Sequence, residues 1–363
     1  MKDISASRLQ SLDFFRGGVM FILIAEFSGL FEDLLKTGNS TLTKISEFLF
    51  HHASWEGLHF WDLIQPFFMF IVGVSIPFSY ASRLKRGESV KQIRKHAYRR
   101  SFLLLLFGWA LYCISPGKII FQFDNVLAQL SVTYLIAFLL LHKSVSIQLM
   151  VSILLILISD GLYRFFPVEG FNNAFTAGEN FGAWFNIFIS GYEYGGHWAA
   201  FNAIPTTAHT IWGLMAGQLL MQSTDANNTI KKLLFAGIAC LIVGYAFQFF
   251  TPVIKRITTT SFIFLSGAWT ILALLFSYWA IDVKGYLKKT LAMRIVGMNP
   301  IFIYLFASVG GAALLRRIFK PYTETLIGSF SSWWADFTLS SIVLFCLWYC
   351  CFWLYQKRIF FKI

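Results

Sequence analysis

Long apolar runs dominate the chain, and its polar residues gather between those runs rather than alternating within them. Crossing a hydrocarbon core of ~30 Å as a helix takes roughly 20 residues. Runs near that length fall at 14–31, 59–81, 101–115, 125–141, 145–163, 202–222, 233–250, 260–281, 292–313 and 334–356. The pattern predicts an all-α, polytopic membrane protein with about ten transmembrane helices. No linker, low-complexity tract or internal repeat interrupts it, so residues 1–363 read as a single transmembrane domain with outer loops at 32–58 and 164–201.

Composition agrees with the pattern. The 363 residues are 57% hydrophobic and 13% charged, with a mean hydropathy of +0.63, values that exclude an ordinary soluble domain of this length. The first apolar run carries Glu26 and lacks a small-residue cleavage pattern, so it is expected to be retained as a helix. Cys113, Cys240, Cys346, Cys350 and Cys351 all fall inside predicted spans, where they are expected to pack as small apolar residues.

The net charge of +12 is informative through its placement. With ten crossings and a cytoplasmic N-terminus, 21 of the 30 Lys and Arg residues lie on the inner side. This bias predicts a multi-pass protein of the cell membrane with both termini cytoplasmic, and it puts the stretch HHASWEGLHFWD, residues 51–62, on the outer face. The strongly basic loop 82–100 then reads as a topology signal and a contact for anionic lipid, not for nucleic acid. The outer loop 164–201 mixes aromatic residues with Glu169, Glu179 and Glu193, a surface suited to a sugar or to an interface.

Ionisable and amide side chains inside apolar runs cost at least ~2.5 kcal/mol each when charged, so they face protein or a water-filled space. Four stand out. Glu26 lies about 15 Å along the helix from Arg16, Asp62 opens the second run, His209 lies at a comparable depth in the sixth, and Asn299 precedes Pro300 in the ninth. Each has a structural alternative. Asp62 and Asp13 stand near helix N-termini, where carboxylates cap free amides, and His209 and Asn299 fit interhelical hydrogen bonding. His51 and His52, at the membrane edge, fit proton transfer or nucleophilic attack. No HExxH, paired CxxC or GxSxG pattern occurs, and His51, His52 and His59 imply no fourth ligand, so no metal is expected.

Several stretches together resemble the heparan-alpha-glucosaminide N-acetyltransferase family of membrane acyltransferases: RLQSLDFFRGG at 8–18, HHASWEGLHFWDLIQPFFMFIVGVSIPFS at 51–79, RRSFLLLLFGWAL at 99–111, LAQLSVTYLIAFLL at 127–140 and GMNPIFIYL at 297–305. The chain is similar to a compact prokaryotic member without the extra N-terminal luminal region of the animal enzyme. The resemblance implies transfer of an acetyl group from cytosolic acetyl-CoA to the amine of a glucosamine-type sugar or glycan on the far side of the membrane, and it suggests a homodimer. The family's catalytic histidine maps onto His52, as base or acetyl carrier, and its neighbouring asparagine aligns with Glu26, a departure. Asp62 or Glu26 would then set the His52 tautomer. Asn299, His209 and Trp55 would line the acyl and acceptor pocket, and Arg99 and Arg100, with Arg94 in reserve, would meet the CoA phosphates. An O-acetyltransferase of envelope glycans and an amino-sugar transporter fit the same residues, although neither an inverted repeat nor paired interrupted helices supports the transporter.

Overall fold

The computed structural model describes residues 9–114, 116–287 and 290–361. Lys2, Arg8, Lys288, Lys289 and Lys362, which enter the inner-side charge bias, lie outside them. Among the described residues the secondary structure is helical: α1 (Gln10–Phe27), α2 (Leu30–Leu35), α3 (Ser40–Phe50), α4 (Ile64–Lys85), α5 (Val90–Ile114), α6 (Val126–Leu139), α7 (Val145–Phe165), α8 (Phe181–Ser190), α9 (Thr207–Met221), α10 (Ala226–Gln248), α11 (Thr260–Ser277), α12 (Leu291–Met298), α13 (Pro300–Phe306), α14 (Ala312–Leu326) and α15 (Ser332–Gln356).

Each of the ten apolar runs is helical for most of its length, but among the described residues six helical segments combine the length and apolarity needed to cross a bilayer. They are Phe60–Lys85, Val145–Phe165, Ala226–Gln248, Thr260–Val283, Pro300–Leu326 and Ser332–Gln356. The others fall short for visible reasons. Asp13, Arg16 and Glu26 put three charges into α1, α6 and α9 have 14 and 15 residues, and α5 begins in basic sequence. The basic segment 82–100 is not all loop, because α5 takes in Val90–Arg100. On α7 and α10, large apolar residues such as Met150, Leu157, Phe235 and Ile242 face outward, as lipid contact requires.

Small residues let helices approach closely, which is how apolar helices associate without a hydrophobic force between them. A Cβ on Gly73 of α4 would strike the Thr210 carbonyl of α9, and one on Gly213 of α9 would strike the Phe70 carbonyl of α4. Gly17 of α1 meets the Met293 carbonyl of α12 in the same way. These contacts set α1, α4, α9, α11, α12 and α15 around one core. All five cysteines are free.

The ninth run is broken at Asn299, whose backbone leaves the helical region (φ −128°, ψ 48°) ahead of Pro300. The break is satisfied from the C-terminal segment: Asn299 Nδ2 donates to the Ile359 carbonyl at 3.0 Å, and the Phe361 amide donates to Asn299 Oδ1 at 2.9 Å. A buried polar break thus keeps its hydrogen bonds, and α13 starts with proline at its first turn, where the missing N–H costs nothing.

Candidate active site

The chain leaves α3 at His51 in extended backbone and runs irregularly to a short 3₁₀ turn, Phe60–Leu63, that opens α4. Asp62 sits in that turn and is 1% exposed. Its Oδ2 accepts from the backbone amides of His59 at 2.9 Å and Ala53 at 3.3 Å, so it caps the turn and closes the loop at once. Its Oδ1 lies 2.7 Å from His52 Nδ1. An ionised carboxylate only accepts, so Nδ1 carries the proton, which leaves Nε2 with its lone pair. The His52 side chain is 32% exposed, enough for that edge to be reached.

A third residue joins the pair, and the sequence reading missed it. Lys255, in the segment between α10 and α11, is buried with Nζ 3.2 Å from His52 Nδ1 and 3.8 Å from Asp62 Oδ1. Trp198 closes the group, edge-on to His52 at 5.2 Å between centroids, with Lys255 Nζ 5.3 Å from its ring centre. Backbone bonds hold the three segments together: Gly57 N to Val253 O at 2.8 Å, and Ala199 N to Arg256 O at 3.1 Å. The one available signal was that Lys255 and Arg256 stand against the inner-side bias of positive charge, next to Pro252 and the threonines 258–260.

Burial, and after it the Lys255 ammonium, holds His52 below the ordinary imidazole value of 6.5, while Asp62 pulls the other way. His52 is therefore uncharged at neutral pH. Burial pushes Lys255 down to about 8, against the pull of the Asp62 and Glu26 carboxylates. An uncharged imidazole, oriented at Nδ1 and open at Nε2, can take a proton or attack a carbonyl carbon.

A cavity of about 990 Å³ lies inside the helix bundle. One end is lined by Arg16, Arg83, Lys85, Arg86, His96 and Arg100. Arg100 places its guanidinium 4.7 Å from the centre of the Tyr134 ring, and Tyr134 also lines the cavity. The middle is apolar, with Met20, Leu23, Ile71, Leu127 and Leu130. The far end carries Glu26, Tyr304 and Ile64. From Arg86 to Ile64 the wall follows α4 for roughly 33 Å. Ile64 is two residues from Asp62, and Glu26 is within electrostatic reach of Lys255, whereas His52, Asp62 and Lys255 themselves are not among the residues that line the cavity.

The other predicted residues are dispersed. Arg100 lines the cavity, whereas Arg94 and Arg99 face outward on α5. Trp55, three residues beyond His52, donates from its indole to the Phe175 carbonyl at 2.7 Å and stands edge-on to His197. Asn299 clamps the C-terminal segment, between the cavity-lining Met298 and Pro300. His209 is fully buried between α9 and α11, with Nε2 3.1 Å from the Ile263 carbonyl and 2.9 Å from Ser266 Oγ, away from the cavity wall. His51 and His59 converge on each other, His59 Nδ1 donating to the His51 carbonyl at 3.0 Å, and among the described residues no group of three or more His, Cys, Asp or Glu side chains is placed to hold a metal.

Fold and site together define a class: a membrane protein, helical among its described residues, with a cavity that runs from a basic end to Glu26 and an anchored aspartate–histidine pair in the turn ahead of α4. Within that class, part of the chain is similar to the heparan-alpha-glucosaminide N-acetyltransferases, the family its motifs resemble. It is 33% identical to heparan-alpha-glucosaminide N-acetyltransferase of Mus musculus over 139 residues, 36% of this chain and 19% of the mouse protein. Against the protein of the same name from Homo sapiens it is 34% identical over 136 residues, again 36% of this chain and 18% of the human one. The chain spans about a fifth of the length of these curated relatives. No protein-family model matches it.

Proposed function

We propose that this protein crosses the membrane about ten times with both termini cytoplasmic and transfers an acetyl group from cytosolic acetyl-CoA to the amine of a glucosamine-type acceptor on the outer side. The observation that carries this reading is the polarity of the cavity. Its guanidinium and ammonium groups suit the CoA phosphates, its apolar middle suits the arm that bears the thioester, and its far end carries Glu26, which acts on the Lys255 beside His52. The names of the curated relatives add the reaction class and the type of acceptor.

The acceptor enters as the free amine, its ammonium proton having gone to solvent; its nitrogen attacks the thioester carbonyl carbon, and His52 Nε2 takes the proton that the nitrogen sheds as the N–C bond forms. When the tetrahedral intermediate collapses, the C–S bond breaks and the imidazolium returns its proton to the departing thiolate, giving the amide and free CoA. The same Nε2 could instead take the acetyl group first and pass it to the amine; both routes need the uncharged, Asp62-oriented ring.

The test is incubation of purified protein with radiolabelled acetyl-CoA and, in parallel, glucosamine and acceptors that offer hydroxyls only. Labelled N-acetylglucosamine supports the reading. Label on hydroxyl acceptors alone would make the protein an O-acetyltransferase, and glucosamine movement into vesicles without acetylation would make it a transporter.

A further inference from the structure

We propose that Lys255 is a positioning residue for His52, its buried ammonium anchoring the Asp62 carboxylate and keeping the neighbouring imidazole in the uncharged form whose Nε2 is free. This rests on the reading of His52 as the base or acetyl carrier of the transfer. Nζ stands 3.2 Å from His52 Nδ1 and 3.8 Å from Asp62 Oδ1, and the side chain lies almost wholly out of solvent against Trp198.

A lysine buried this far is expensive unless opposed by negative charge. It is opposed from two elements: Asp62 in the turn ahead of α4 and Glu26 on α1. The charged groups acting on the imidazole are then Asp62 on one side and Lys255 with Arg256 on the other, while Glu26, with Glu32 beyond it, acts through Lys255. Protonating His52 would put a second cation beside Lys255 with one adjacent carboxylate to share. Without Lys255, Asp62 would face the ring alone and draw a proton onto Nε2, converting the base into an inert imidazolium. Aspartate alone orients a histidine; aspartate with lysine orients it and leaves it uncharged.

The readout must not depend on acetyl transfer. Diethyl pyrocarbonate modifies uncharged imidazole, and its reaction at His52 can be followed by peptide mass spectrometry across a pH series. In Lys255→Met the midpoint rises by about one pH unit, so modification at the pH of the original midpoint slows about fivefold. Lys255→Gln, which keeps a polar group in the buried slot, gives the same upward shift if the methionine variant fails to fold. Lys255→Arg, which keeps the charge, restores the original midpoint. In the transfer assay, Lys255→Met loses about fivefold in kcat at the pH of the original midpoint and recovers toward pH 8, with KM for acetyl-CoA unchanged.

An unmoved midpoint in the methionine and glutamine variants, or a loss of kcat equal at every pH, would overturn the proposal. If the unmodified protein acetylates no acceptor, the functional reading fails while the modification midpoint still decides the role of Lys255. If it acetylates and the midpoint stays put, Lys255 alone is discarded.

Discussion

His52–Asp62 and His197–Glu193 both join an imidazole Nδ1 to a carboxylate, and each imidazole stands edge-on to a tryptophan, Trp198 for His52 and Trp55 for His197, yet their surroundings differ. Asp62 is 1% exposed, fixed by two backbone amides and faced by a buried lysine. Glu193 is 32% exposed and His197 42%, four residues apart in sequence, and their bond competes with water. An exposed ion pair of this kind contributes little. The difference teaches that the bond itself does not make a site. Anchoring of the acid and control of the ring's charge are what separate the two.

The comparison can be broken directly. His52→Ala should cost about a thousandfold in acetyl transfer, the size of a lost general base, while His197→Ala stays within about twofold. Equal losses in the two variants, measured under saturating donor and acceptor, would remove the distinction. Asp62→Asn keeps the shape but lets the amide donate to Nδ1, turning the proton to Nε2; a loss of about a hundredfold is expected. A Glu193→Gln variant should be close to unaffected.

The basic end of the cavity sharpens the same contrast. Arg100→Ala should raise KM for acetyl-CoA about tenfold with kcat little changed, equivalent to about 1.4 kcal/mol of lost phosphate contact. Arg99→Ala, on the outward face of α5, should leave KM within about twofold. If the two behave alike, the cavity is not the donor's route.

The smallest expected effect is in pH dependence. His52 sits below 6.5, so its uncharged form persists as pH falls toward that value, and the rate declines only when pH drops through the lowered one. The acid limb of the transfer rate should therefore have its midpoint below 6.5, with less than about twofold loss between pH 8 and 6.5. A midpoint at or above 6.5 would mean that Asp62, not Lys255, dominates the ring.

The helices were legible because an apolar run of membrane length has few other uses. The break at Asn299 was legible in part, since an amide before proline marks one, but its partners lie sixty residues away in the C-terminal segment. The His52–Asp62 pair was readable only as two candidates. Ten residues apart, they are not on one helix face, and it takes the 3₁₀ turn at Phe60–Leu63 to bring them together. Lys255 was hidden because it reaches His52 across 203 residues of sequence, and a lysine between two spans reads as a solvated loop charge. Arg94, Arg99 and Arg100 share one basic stretch, and helical phase alone decides that only Arg100 turns inward.

The most direct test of the central claim is a structure of the protein with a non-transferable acetyl-CoA analogue bound. The account predicts its phosphates among Arg83, Arg86 and Arg100 and its acyl carbon within about 3.5 Å of His52 Nε2, a distance at which transfer can occur. An analogue bound elsewhere, or one seated in the cavity with its acyl group turned away from His52, would contradict it.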